Sequence, residues 1–230
     1  IMKHSFLALL VLFPLLACQD SMNIYKKPDS IIDVKQLIPD AVFDLRYASS
    51  NNFTGKQVSG YEAAKCLLDH EAAHALQKVQ QNAKVKGLRL IIFDCYRPQR
   101  AVSDFMNWLG QPEQLQVKDR YHPHLSKPEL LGPYIAEKSG HSKGFTLDTT
   151  LAKQNANGEY QEIEMGSSFD LFDPISNTDD PSISLSHRKN RYLLKELMEG
   201  EGFIAYDMEW WHFTYSQSGE SELYYDFVIR

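Results

Sequence analysis

The chain has 230 residues, 43% of them hydrophobic, and a formal net charge of −6 at pH 7. That length suits one domain with a full core. The acidic balance, with no basic stripe, argues against a nucleic-acid partner and leaves a small-molecule substrate open.

Lys3 precedes the uncharged run Phe6 to Leu16, interrupted only by Pro14. The run is too short to span a bilayer and has the length of a signal-peptide core. It ends Leu15-Leu16-Ala17-Cys18, which resembles a bacterial lipobox. The expectation is a lipoprotein signal peptide over residues 1–17, a lipidated Cys18 with a polar tether over 18–35, and a catalytic domain over 36–230. A plain secretory signal with an incidental cysteine is the alternative. Gln19 after Cys18 resembles outer-membrane sorting in a Gram-negative host, so the expected location is the exported, periplasmic side of a membrane, held there by lipid.

Val42 to Tyr47 alternates apolar with polar residues and predicts a strand, followed by a loop over Asn51 to Gly55. Ala63, Cys66, Leu67, Ala73, Leu76, Val79 and Ala83 fall near one face of a helix predicted from Glu62 to Lys86, with Gly87 as its stop. Leu88 to Asp94 predicts a buried strand, and Pro98 opens a second helix reaching Leu109. Residues 110–138 are Pro-rich and predict a long functional loop. Gly144 to Leu151 reads as a strand, with Asn157-Gly158 turning it into a partner over Tyr160 to Met165. Residues 170–187 form a further loop. A third helix is predicted over Arg188 to Glu199, then strands over Glu209 to Ser216 and Tyr224 to Ile229. The pattern is α+β: one domain with a small, mostly antiparallel sheet flanked by helices and long loops.

Cys66 and Cys95 remain in the exported portion, where pairing is favoured. Cys66 lies roughly 30 Å back along the helix from Gly87, and Cys95 roughly 26 Å along the returning strand. An antiparallel return would let them meet, and two buried thiols are the alternative.

The chemistry concentrates in two segments. His141 and Asp148 are separated so that Gly140 and Gly144 let the backbone between them bend, and His212 offers a third ligand. Three protein ligands with a spare position describe a catalytic zinc. Glu209, three residues before His212, is left free to take a proton from the attacking water. One conflict stands: the aromatic context of Glu209 to His212 predicts a strand, where side chains three apart diverge, so a bulge or an approach from opposite sides is required. His70 and His74 are expected to be solvated or at the core edge, His122 and His124 on a loop surface, and His187 structural near a helix start.

Several motifs occur in one order: Asp44-Leu45-Arg46-Tyr47-Ala48, Asn52-Phe53-Thr54-Gly55, Asp94-Cys95-Tyr96-Arg97-Pro98, Ser139 to Asp148, Met165 to Asp170, and Glu209-Trp210-Trp211-His212. In these the chain resembles the VanX-type D-alanyl-D-alanine dipeptidases of the zinc D,D-peptidase group. The resemblance runs from about Asp44 to Phe227 and implies one zinc held by His141, Asp148 and His212, with Glu209 as base and later acid. It further implies that Arg97 stabilises the oxyanion, that Asp170 takes the substrate ammonium, and that Ser139 and Tyr47 contact substrate. Trp210 and Trp211 read as walls or core. The implied reaction is hydrolysis of D-Ala-D-Ala and related dipeptides in peptidoglycan peptide turnover. The partners implied are a small dipeptide and, through the lipid, a membrane; oligomeric state has no signal. A D,D-carboxypeptidase acting on stem peptides is one rival, and a non-catalytic lipoprotein that binds wall peptides or zinc is another. Thr146 departs from the small residue usual there, which puts pocket detail in question, and Cys95 occupies a variable position of its motif.

Overall fold

Leu88–Asp94 (β4) is apolar and buried along nearly its whole length, as a strand with neighbours on both sides must be. It pairs in parallel with Val42–Phe43 (β2) and antiparallel with Thr146–Gln154 (β5). The sheet continues through His212–Tyr215 (β8) to Phe203–Ala205 (β7), and Tyr160–Glu162 (β6) closes a hairpin on β5. Among the described strands only the β2–β4 pairing is parallel, so the α+β, mostly antiparallel expectation holds. This computed structural model describes residues 23–216 and 223–230; the expected signal peptide and Cys18 lie outside the described residues. No helix among the described residues is long and apolar enough to cross a membrane.

The helix His70–Val85 (α1) buries Ala72, Ala73, Leu76, Val79 and Ala83 and packs on β4. It starts later than Glu62, because the Asp69 carboxylate accepts from Glu71 N at 3.0 Å and caps it there. Residues Leu67–Asp69 (β3) instead pair with Ile31–Asp33 (β1). Ile31 and Val34, expected in the tether, are therefore core residues of the domain. Apolar spacing alone could not separate a short buried strand from a helix's first turn.

The predicted second helix is Gln99–Leu109 (α2), with Pro98 at its N-cap. The stretch expected as irregular loop contains Leu115–Tyr121 (α3) and Lys127–Leu130 (α4). Lys127 is buried there, and its ammonium donates to the α2-terminal carbonyls of Trp108 at 2.8 Å and Gln111 at 3.2 Å. The third helix, Leu185–Glu199 (α5), begins earlier than expected because Ser184 caps it. The strand expected over 224–229 reduces to one bridge, Tyr61 to Ile229, and the first strand ends at Phe43 before a 3₁₀ turn over Arg46–Ala48.

Cys66 and Cys95 form a disulfide with Cα atoms 5.1 Å apart. The route differs from the helix-and-strand return. The segment before α1 lies beside the end of β4, where Tyr96 N donates to Leu67 O at 2.9 Å. The crosslink spans 29 residues. Replacing both cysteines with alanine should lower the unfolding free energy by about 3–4 kcal/mol. An unchanged urea midpoint in the double variant would contradict this.

Candidate active site

Pairing in the sheet sets one row of side chains. Asp94 on β4 is opposite Asp148 on β5, and Asp148 is opposite His212 on β8. Directly opposed residues on neighbouring strands share a face with Cβ atoms about 5 Å apart. The row depends on an irregularity in β4. Ile92 pairs with Thr149 but Asp94 with Asp148, so Phe93 is an extra residue that brings Asp94 into line.

His141 reaches the row from a 3₁₀ turn over Gly140–Lys143, capped by Ser139, whose Oγ accepts from His141 N at 3.3 Å. Gly144 follows with φ 85°, a left-handed turn that sends the chain into β5. Gly140 is needed for space, since a Cβ there would lie 2.8 Å from Thr146 Oγ1.

Three atoms converge at the end of the row. His141 Nε2 lies 3.2 Å from His212 Nδ1 and 3.4 Å from Asp148 Oδ1, and His212 Nδ1 lies 3.1 Å from Asp148 Oδ1. A tetrahedral ion with bonds of about 2.0–2.1 Å sets its ligand atoms roughly 3.3–3.4 Å apart. The chemistry of the donors fits as well. His141 Nδ1 donates to Cys95 O at 2.8 Å, so its Nε2 presents a lone pair toward a carboxylate oxygen. With lone pairs turned inward such an arrangement repels unless a proton or a metal ion lies between. These residues therefore fit zinc, and the three predicted ligands meet as a group that could hold a metal. Burial alone would raise the Asp148 pKa, but His141 and His212 beside it hold the carboxyl well below the usual range. Burial pulls His212 down, which favours the neutral form a metal needs.

Arg97 stands beside this triangle. Its Nε donates to Asp94 Oδ2 at 3.0 Å, and its Nη2 lies 3.5 Å from Asp148 Oδ2. Asp94 is fully buried, accepts from Tyr61 OH at 2.7 Å and lies 3.5 Å from His141 Nδ1. One carboxylate thus orients both the guanidinium and a metal ligand. Burial raises the Asp94 pKa against the pull of Arg97 and His141.

The conflict over Glu209 and His212 is resolved by a turn. His212 N donates to Glu209 O at 3.0 Å, so the two residues close a tight turn just before β8 instead of lying along a strand. Glu209 Oε2 comes within 3.6 Å of His212 Nδ1. Burial, then the charges of Asp148 and Asp170, push the Glu209 pKa well above its ordinary value.

Asp170 is 3% exposed and accepts from Tyr47 OH at 3.0 Å. Its φ of 61° makes it the one non-glycine in the left-handed region among the described residues, a strain that aspartate tolerates better than most. Tyr47 is held in an aromatic cluster with Phe53, Tyr61 and Phe105. Burial pushes the Asp170 pKa up, so a cation arriving there would be welcomed by both partners.

Arg97, Ser139, Asp148, Asp170, Glu209 and His212 line one cavity of about 190 Å³, together with Tyr47, Tyr134, Lys138, Tyr206 and Trp211. Thr146 does not line it. Its hydroxyl pairs with Thr214 Oγ1 across β5 and β8 at 2.9 Å, so the added group is held within the sheet. Trp210 and Trp211 are both core residues, and Trp211 also forms cavity wall. His70, His74 and His124 are exposed, but His122 is fully buried under Trp108, against the expectation of loop surface.

Sequence reasoning assigned no role to Asp94, Tyr61 or Arg191. Arg191 on α5 is buried without a carboxylate partner among the described residues. It donates to the carbonyls of Met165 and Asn177 at 2.6 Å each and of Ile175 at 2.9 Å, and to Ser167 Oγ at 3.1 Å. Ser167 Oγ also accepts from Trp210 Nε1 at 2.8 Å. One cation thereby ties the loop bearing Asp170 to the turn bearing Glu209. The only sequence signal was an arginine on the inward face of an amphipathic helix.

A buried dihistidine–aspartate triangle beside a free glutamate and an arginine defines a metal-dependent hydrolase centre. The D-ala-D-ala dipeptidase family, Peptidase M15, matches residues 27–230. A D-alanyl-D-alanine dipeptidase of Enterococcus faecium is 37% identical over 196 residues, covering 85% of this chain and 96% of the relative. One from Streptomyces coelicolor is 38% identical, covering 85% and 96%, and one from Escherichia coli 34%, covering 85% and 90%. The chain belongs to this family and is a zinc metallopeptidase.

Arg191→Met should cost about 3 kcal/mol or more, because it strands several buried acceptors at once. Urea unfolding checks this, and a loss under about 1 kcal/mol would show that the loop is held otherwise.

Proposed function

We propose that the chain hydrolyses D-Ala-D-Ala and related dipeptides, with zinc held by His141, Asp148 and His212. Bound zinc supplies Lewis acidity at the scissile carbonyl and lowers the pKa of water from 15.7 to about 7. Glu209 takes the proton of the attacking water on its raised-pKa carboxylate and passes it to the leaving amine. Arg97, held by Asp94, aims its guanidinium at the oxygen that gains charge, a contribution of roughly 3–4 kcal/mol for a donor of this kind. Asp170, oriented by Tyr47, takes the substrate ammonium, and Ser139 contacts substrate from the metal-bearing turn.

The observation that carries the reading is the buried Asp170 carboxylate in the same small cavity as the metal triangle. A free amino terminus satisfies it, whereas an acylated one leaves a buried charge unpaired. That favours a dipeptidase over the stem-peptide carboxypeptidase. Kinetics on free D-Ala-D-Ala and a stem pentapeptide, with L-isomers beside them, test this. The dipeptide should be preferred, and preference for the stem would overturn the choice. Glu209→Gln should keep its zinc and lose about 10²–10⁴ in kcat. In the wild type kcat/KM should fall as pH drops through the pKa of Glu209 in the zinc-loaded enzyme, since the base works only deprotonated. An acid limb that persists unchanged in Glu209→Gln would contradict the assignment.

We further propose a lipid anchor at Cys18 and a place on the exported side of a membrane, where peptidoglycan turnover releases such dipeptides. The Leu15-Leu16-Ala17-Cys18 sequence and the disulfide support this reading. Cys18→Ser should move the protein from the membrane to the soluble exported fraction; an unchanged distribution would contradict it.

A further inference from the structure

The dipeptide reading accounts for the substrate's ammonium and its scissile bond but leaves its carboxylate without a charged partner. The cavity is poor ground for an anion. Asp148, Asp170 and Glu209 all face it, and Arg97 is already engaged by Asp94 through Nε at 3.0 Å and Nη2 at 2.9 Å. Among the described lining residues the other lysine or arginine is Lys138. It forms no ion pair with any described residue.

Its position suits the task. Lys138 immediately precedes Ser139, which caps the turn that carries His141, so its backbone is tied to the metal-bearing segment. The ammonium lies 5.1 Å from the centroid of the Tyr224 ring, a cation–π contact that it shares with Lys143 at 5.1 Å. Asp170 is buried and Lys138 is exposed, and both line the cavity.

Resting on the dipeptidase reading, we propose that Lys138 is a specificity-determining residue that pairs with the free C-terminal carboxylate of the substrate. Asp170 and Lys138 then read the two ends of a zwitterion within one cavity. Neither touches the bond being broken, so Lys138 acts on binding and leaves the chemical step alone.

The test compares D-Ala-D-Ala with its C-terminal amide on the zinc-loaded full chain, for wild type, Lys138→Ala and Lys138→Arg. KM is read for each compound, or Ki against D-Ala-D-Ala if the amide is not turned over. Because Lys138 is exposed, the variants should fold, which circular dichroism and zinc content verify. Lys138→Ala should raise KM for the free acid about three- to tenfold, as for a partly exposed ion pair, and leave kcat within about twofold. The amide constant should not move, and arginine should restore the acid. Equal losses on acid and amide, or no loss on either, would overturn the proposal. If wild type instead prefers stem peptides, the dipeptidase reading fails by itself. The same acid-against-amide comparison on the stem then decides Lys138.

Discussion

The convergence of His141 Nε2, His212 Nδ1 and Asp148 Oδ1 on one point is the constraint around which the rest is arranged. Three electron-rich atoms lie 3.1–3.4 Å apart, buried or nearly so, and a shared proton or a metal ion makes that arrangement favourable. Holding such atoms together is costly, and the sheet bears the cost. Asp148 and His212 are fixed by neighbouring ladder positions, and His141 is tied back to the end of β4 through the Cys95 carbonyl. The disulfide to Cys66 anchors that same carbonyl from the other side.

The active groups divide between rigid and looped supports. Metal ligands and Asp94 belong to the sheet and its adjoining turn, whereas Asp170 and Glu209 stand on segments with no strand partner of their own. Arg191 compensates by drawing both segments onto α5 through backbone carbonyls and Ser167. Placement within about 0.5 Å matters for both residues, one as a charge receptor and one as a proton carrier. Burial raises both carboxyls, so their charged forms rely on the cations nearby: Arg97, the metal and the substrate ammonium.

Much of this was readable from the residues, for reasons that differ by element. The ligands were legible because their types and spacing carry chemistry, and β4 because a strand buried on both faces is uniformly apolar. The start of α1 was not, because Leu67 and Cys66 suit a buried strand as well as a helix, and only pairing with β1 decides between them. The Glu209–His212 geometry was illegible for a related reason: aromatic residues favour strands, while a single backbone hydrogen bond makes the turn. Arg191 and Asp94 act through groups far away in sequence, and no local pattern marks that. His122 looked like loop surface because α3 was hidden in a Pro-rich stretch and only the fold brings Trp108 of α2 over it.

The most direct measurement is zinc X-ray absorption on the purified full chain, with metal content determined for wild type and for His141→Ala, Asp148→Ala and His212→Ala. The account predicts one zinc per chain with nitrogen and oxygen neighbours at about 2.0–2.1 Å, lost or much weakened in each variant. A sulfur shell near 2.3 Å, or full zinc retention in any of the three variants, would contradict it.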